Sequence, residues 1–359
     1  MSLASQAQVR QESIDLGDGR SVRLVSTIGK GSAATVHRGE LVGRNGIRRR
    51  VAAKVVSAVS SEEADFVFSH LMTTARRNAC VDHPNVVQVY DVVDHRGQPC
   101  VLTELVDGVT LADLQARFAS TGRRMPLDLA LFIAGEVAEG LAGARVARGP
   151  DGLQIGMLHQ SLTPREVLLS WRGEVKVADF EMSKARACSS SVRSLRALAQ
   201  RSAAMAPEVA QGHEPDARSD VFAFGVLFHE LLIGPRFPAG LNNSELMKLA
   251  REGYVQPQTF RPNLPEVALS VLKRALEVDP ELRYPNAVAL AYDMRRVLLA
   301  MGVGDGRYFL RRTLEHEWAD RGEEATSEVS LPMTVDSSEY QLFDGEVIEL
   351  DPRSTKRRK

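Results

Sequence analysis

Gly29 and Gly31 stand one residue apart between two stretches in which apolar and polar side chains alternate. Glycines placed like this let backbone N–H groups come close to a phosphate, because no Cβ intervenes. Lys54 lies within a third alternating stretch, residues 50–56, and Asp179 closes a fourth, residues 174–178. A glycine turn, an ammonium group and a carboxylate are suitable parts for holding a phosphorylated ligand and a hard cation. Singly, each has a plainer reading: a hairpin turn, a solvated edge lysine, an acidic turn residue. Their meaning depends on the elements that would bring them together.

Those elements read as follows. Residues 22–28 alternate, the glycines follow, and Val36 falls in the next extended run, giving strand, turn, strand. Arg44-Asn45-Gly46 is a hairpin signal leading into the Lys54 strand. A helix is expected from Ser61, whose Ser-Glu-Glu opening offers a cap and acidic first-turn residues. Two further strands fit at 85–93 and 99–105. Beyond Asp107-Gly108 the period becomes helical: residues 126–147 are apolar at helical spacing with proline at the start. A second nearly all-apolar helix begins near Ser219, and helical patterns recur at 244–252, 265–278 and 285–301. Between them, residues 158–184 form a polar loop, a strand at Val167, Leu168 and Leu169, a glycine turn, and the strand that ends at Asp179-Phe180-Glu181.

That order of motifs resembles the eukaryotic-like (Hanks-type) serine/threonine protein kinases. The family's glycine loop G-x-G-x-x-G-x-V is matched by Gly29, Gly31 and Val36, with Ala34 at the third glycine, and its V-A-I-K by Val51-Ala52-Ala53-Lys54. His83-Pro84-Asn85-Val86-Val87 resembles the entry to the fourth strand, and residues 103–111 resemble the hinge. His159 to Glu166 occupies the H-R-D-L-K-P-x-N loop, and Asp179-Phe180-Glu181 the D-F-G position. Ala206-Pro207-Glu208, Asp220 and Arg283 match the A-P-E end of the activation segment, the buried aspartate and the arginine that pairs with the glutamate. The resemblance covers about residues 21–300. It implies an α+β, bilobal protein-kinase-like fold, with a small antiparallel β lobe carrying one helix (21–105) and a larger, mainly helical lobe (106–301). It also implies an ATP cleft, with or without Mg²⁺, lined by Ile28, Gly29, Gly31, Val36, Ala52, Lys54, Glu104, Leu105, Leu168 and Asp179, with Asp179 the residue for metal.

The frame is kept and the reacting groups are changed. The helix glutamate that orients the lysine falls on Thr74, and its neighbours Arg76 and Arg77 would repel Lys54 if they faced inward. The aspartate that takes the substrate proton falls on Ser161, whose plain reading is a loop-capping hydroxyl. General-base help is worth about 10²–10⁴ in rate, and a hydroxyl with no adjacent base does not supply it. The loop lysine falls on Thr163. The asparagine for the second metal falls on Glu166, which retains oxygen for a hard cation. The loop arginine falls on Gln160, leaving Ser189, Ser190, Ser191 and Ser194 without their reader. Glu181 replaces the D-F-G glycine and brings a second negative charge beside the phosphate site. Nucleotide binding stays open: Gly29, Gly31, Lys54 and Asp179 favour it, Thr74 and Glu181 oppose it. The reading is a pseudokinase without phosphotransfer, acting as a scaffold or allosteric regulator on an active kinase or other signalling proteins. The alternative is an atypical active serine/threonine kinase with an unconventional base, such as Glu166 or Glu181.

Bulk properties agree with two lobes. The chain has 359 residues, is 44% hydrophobic and carries a net charge of −1, so nothing global points to nucleic acid or a membrane. Cys80, Cys100 and Cys188 lack paired spacing, which suggests reduced thiols in a cytoplasm. No window approaches a membrane span, and residues 1–20 read as a loose polar lead-in. Residues 302–359 read as an acidic, partly disordered tail with a basic terminus, in which Tyr340, Leu342, Phe343, Val347, Ile348 and Leu350 are apolar enough to dock on something.

Overall fold

The computed structural model describes residues 12–17, 19–30, 34–56, 61–181, 202–256 and 264–319. Gly31, Cys188, the serines at 189–194 and the apolar tail residues lie outside them.

Six antiparallel strands form the first lobe: β1 (Ser13–Asp15), β2 (Ser21–Lys30), β3 (Ala34–Val42), β4 (Arg48–Val56), β5 (Val89–His95) and β6 (Gln98–Glu104). They pair in the order β1-β2-β3-β4-β6-β5. Strand β1 falls in the stretch expected to be a loose lead-in; three residues are too few to show a period, but Ile14 is buried among Val22, Leu24, Val51 and Leu102. Register assigns the faces. Val36 and Val101 lie opposite Lys54, and Arg38 and Thr103 lie opposite Ala52. Lys54, Ala52, Arg50 and Arg48 therefore share one face of β4, while Val51, Ala53 and Val55 are buried on the other.

Helix α1 (Ser61–Asn78) covers one end of the Lys54 face, where Val67 and Leu71 pack on Val56, Val92 and Val101. The expected strand at 85–93 starts later, at Val89. Its first residues instead join the second lobe, where Val86 bridges to Val177.

The second lobe opens with β7 (Gly108–Thr110) and α2 (Leu111–Ser120), capped by a reciprocal Thr110–Asp113 box. Helix α3 (Leu127–Val146) is apolar on nearly every side and buried along its length, as a central helix must be. Strands β8 (Val167–Ser170) and β9 (Val175–Val177) complete a three-stranded sheet with β7. A Cβ on Gly108 would sit 1.9 Å from the Leu169 carbonyl oxygen, so only glycine allows β7 this close to β8.

Helices α4 (Pro207–Ala210), α5 (Ala217–Leu232), α6 (Asn243–Arg251), α7 (Glu266–Ala275) and α8 (Ala287–Ala300) follow. Helix α5 starts two residues before the expected Ser219, because Asp216 and Ser219 form a capping box. A further helix, α9 (Gly306–Glu317), occupies part of the segment read as tail from 302. Its Leu310 and Leu314 are buried, and Gly306 lies against Phe132 of α3. No helix among the described residues is long and apolar enough to cross a membrane.

Candidate active site

Strand register and the β9 turn bring Lys54 and Asp179 together. Lys54 Nζ donates to Asp179 Oδ2 at 2.5 Å, with the two side chains 16% and 22% exposed. A charge-assisted hydrogen bond in so sheltered a setting contributes on the order of 1–3 kcal/mol. Thr74 is buried at the place expected for an orienting glutamate, so α1 presents no carboxylate to this lysine there. Asp179 takes that role from the other lobe.

Arg77 has a carboxylate partner that the sequence did not suggest for it. Its Nη1 donates to Glu181 Oε2 at 2.7 Å and its Nη2 to the Ile155 carbonyl at 3.2 Å. The extra negative charge of Glu181 is therefore matched, and its side chain is only 10% exposed. The next residue, Asn78, donates through Nδ2 to the carbonyls of Thr74 and Phe180. Helix α1 is thus tied to the Asp-Phe-Glu turn at two points. The turn itself is strained: Asp179 has φ 66° and Glu181 φ 56°, a region that costs a side-chain-bearing residue roughly 1 kcal/mol or more.

The loop His159–Glu166 is held from beneath. Asp220, buried in α5, accepts from the backbone N–H of His159 at 2.6 Å and of Gln160 at 2.8 Å. Burial pushes the Asp220 carboxyl up to about 6, and those two N–H groups oppose the shift. His159 and Phe180 stack with ring centroids 4.8 Å apart, joining the loop to the Asp-Phe-Glu turn. Ser161 Oγ is buried without a hydrogen-bond partner among the described residues. Thr163 and Glu166 bond to each other: Glu166 Oε2 accepts from Thr163 N at 3.1 Å and from Thr163 Oγ1.

Those bonds bear on a divalent cation. Glu166 is turned back on its own loop, Asp179 is engaged by Lys54, and no group of three candidate ligands exists among the described residues. The described residues alone thus offer no three-ligand site for an ion, and the oxygen expected of Glu166 for that purpose is engaged with Thr163.

The remaining cleft residues fall on the faces that bound it. Val36, Ala52 and Lys54 share the underside of the first sheet, and Gly29 pairs with Val36. Ile28 sits at the register shift between Thr27 and Gly29. Leu168, half-buried, pairs with Thr110 and Lys176 on the second sheet. The Glu104 side chain turns to Lys176, which donates to it at 3.0 Å, leaving Leu105 as the start of the link to the second lobe. Sequence reasoning did not single out Lys176; its alternation with buried Val175 and Val177 was the available signal.

Farther down, Arg283 makes two 2.8 Å bonds to Glu208 and also donates to the carbonyls of Glu277, Arg218 and Val278. Supports of this kind are complete while the residues at the reaction centre are occupied with one another.

Residues 22–291 match the family model for protein tyrosine and serine/threonine kinases. The chain is 30% identical over 272 residues to the tyrosine-protein kinase MasK of Myxococcus xanthus, covering 75% of this chain and 41% of that kinase. It is 30% identical over 256 residues to the serine/threonine-protein kinase PknB of Mycobacterium leprae, covering 70% and 39%. A probable serine/threonine-protein kinase of Streptomyces coelicolor is 29% identical over 293 residues, covering 80% and 41%. The chain thus spans about two fifths of the length of these relatives. The two-lobed fold, the glycine hairpin, the Lys54–Asp179 contact across the lobes and this match over three quarters of the chain agree: it belongs to the eukaryotic-like, Hanks-type protein kinase family.

Proposed function

We infer that this chain is a pseudokinase, a kinase fold that works by binding protein partners and not by transferring phosphate. The observation that carries this reading is Ser161. Phosphoryl transfer needs a group that accepts the proton of the attacking hydroxyl. Here that position holds an alcohol whose oxygen is buried and has no hydrogen-bond partner among the described residues. The two carboxylates that could stand in, Glu166 and Glu181, are bonded to Thr163 and Arg77. The role we propose is that of a scaffold or allosteric regulator toward an active kinase or its substrates, in the cytoplasm; a preserved frame with an altered reaction centre supports the regulatory part of this reading. ATP would compete with Asp179 for the Lys54 ammonium group or share its three N–H donors with that carboxylate.

The second reading, an active kinase with an unusual base, is favoured by the relatives, all of which carry kinase names. A radiolabel assay with ATP and Mg²⁺ or Mn²⁺ separates the two. Phosphate incorporation that disappears in Lys54→Ala sinks the pseudokinase reading; none above that control supports it.

A further inference from the structure

The cleft face of the first sheet changes character along its length. On β4 it runs from α1 outward as Val56, Lys54, Ala52, Arg50, Arg48, and the partner positions on β3 are Ala34, Val36, Arg38, Glu40, Val42. Arg23 of β2 pairs with Glu40 on the same face. Beyond Ala52, therefore, four guanidinium groups share the outer part of this face. Two carboxylates answer them: Glu40, bonded to Arg23 at 2.5 Å, and Asp107 of the interlobe link, 3.4 Å from Arg38. Arg48 and Arg50 reach these carboxylates only at 3.7 Å and remain 64% and 61% exposed. Contacts that long leave most of their donors for another partner.

The described chain ends against the turn that neighbours the interlobe link carrying Asp107. Trp318, just past α9, packs edge-on against Trp171 with centroids 5.8 Å apart. The backbone N–H of Trp171 donates to the Asp107 carbonyl at 3.0 Å, and the Asp107 carboxylate is the one facing Arg38 and Arg50. The turn that carries Trp171 is pressed onto α9, since a Cβ on Gly173 would meet the Arg307 carbonyl oxygen at 2.0 Å. The exit point is therefore fixed relative to the arginines. The residues that come next in sequence are acidic: Asp320, Glu323, Glu324 and Glu328, against Arg321 alone. Nine residues extended reach about 30 Å, ample for a path that starts at the Asp107 side of the patch.

We propose that the arginine face of β3 and β4 is a docking surface for the chain's own acidic segment 320–328, with Glu323, Glu324 and Glu328 seated on Arg48 and Arg50 at the hinge-side mouth of the cleft. Arginine favours this use because its planar fork binds carboxylates two-pronged. The interaction is between partly exposed charges, so it is salt-sensitive and adjustable.

Zero-length cross-linking of the full chain tests it. In R48K/R50K the charge is kept and an amine is supplied that a carbodiimide joins to a neighbouring carboxylate. The expected product, read by mass spectrometry, joins position 48 or 50 to Glu323, Glu324 or Glu328 within one molecule. Its yield falls severalfold in about 1 M salt, where the screening length is near 3 Å, and it is lost when those glutamates are also changed to Gln. Cross-links confined to Glu40 and Asp107 overturn the proposal. So do cross-links that appear only between molecules in a mixture of ¹⁴N and ¹⁵N protein, which would make a second copy the occupant.

Discussion

Arg77 on α1 and Glu181 on the Asp-Phe-Glu turn form a 2.7 Å ion pair that spans 104 positions of sequence. The two partners differ in shelter: Arg77 is 39% exposed and Glu181 10%. Removing one is therefore not equivalent to removing the other. Arg77→Met strands a nearly buried carboxylate and should cost about 2–3 kcal/mol. Glu181→Gly leaves a guanidinium that water can solvate, and it relieves the positive φ, worth roughly 1 kcal/mol. That variant should lie within about 1 kcal/mol of the wild type. Urea unfolding of both variants checks this, and a larger loss for Glu181→Gly would show that the pair is not what fixes this turn.

Arg283 is wholly buried, and Glu208 is its sole carboxylate partner among the described residues. Glu208→Ala is expected to cost about 3–5 kcal/mol, since it abandons a charge in the interior. Glu208→Gln retains one acceptor and should cost about half as much. An unchanged denaturant slope in both variants would mark the loss as one of stability and not of compactness. Equal losses in the two would mean that packing, and not charge, sets the strength of this contact.

His229 sits within α5, its ring Nδ1 2.8 Å from the Gly234 carbonyl, and burial lowers its pKa to about 4 from 6.5. The neutral ring is the folded form. Its stabilising contribution is complete above pH 6.5 and is lost as pH falls towards 4, because the unfolded chain then binds the proton first. His229→Asn keeps a donor for Gly234 without titrating. The stability advantage of the wild type over this variant should shrink by about 3 kcal/mol between pH 6.5 and pH 4. Thermal unfolding at half-unit pH steps reads the gap, and a gap independent of pH would show that the ring is not held neutral. Other titrating groups, including Asp220, cancel in this difference as long as they do not touch position 229.

Much of this was written in the sequence, for a local reason. Alternation placed Lys54 on a strand, the apolar run placed α3 in the centre, and capping residues marked where helices start. The Thr163–Glu166 bond was also within reach, since a hydroxyl three residues before a carboxylate is the pattern of a reciprocal cap. Arg77 was not legible, because its direction depends on how α1 is rotated against the sheet, which packing of Val67 and Leu71 decides. Helix α9 was missed for a different reason. Its charged residues dominate the composition, and they hide Leu310 and Leu314, which are spaced to bury one face. Ser161 was placed correctly in the loop, but that its oxygen is sealed off is a property of the folded surroundings.

Lys54 and Asp179 hold each other at 2.5 Å, and a nucleotide phosphate would compete with that carboxylate for the ammonium group. In an enzyme that holds its metal on this aspartate, Asp179→Asn would abolish metal-dependent nucleotide binding. Here the opposite sign is expected. The substitution releases the ammonium group and removes a negative charge from the path of a polyanion, while no cation-holding set is lost among the described residues. Asp179→Asn should therefore bind ATP about tenfold more tightly than the wild type, a difference near 1.4 kcal/mol, and equally well with or without Mg²⁺. Ligand at free concentration c stabilises the folded state it binds by RT ln(1 + c/Kd) and so raises the melting temperature, and a thermal-shift titration resolves the change. Lys54→Ala should lose the shift in either background. Binding by the wild type that requires Mg²⁺ and vanishes in Asp179→Asn would place a metal on this carboxylate after all, and the Lys54 contact would then be a resting position that the nucleotide displaces.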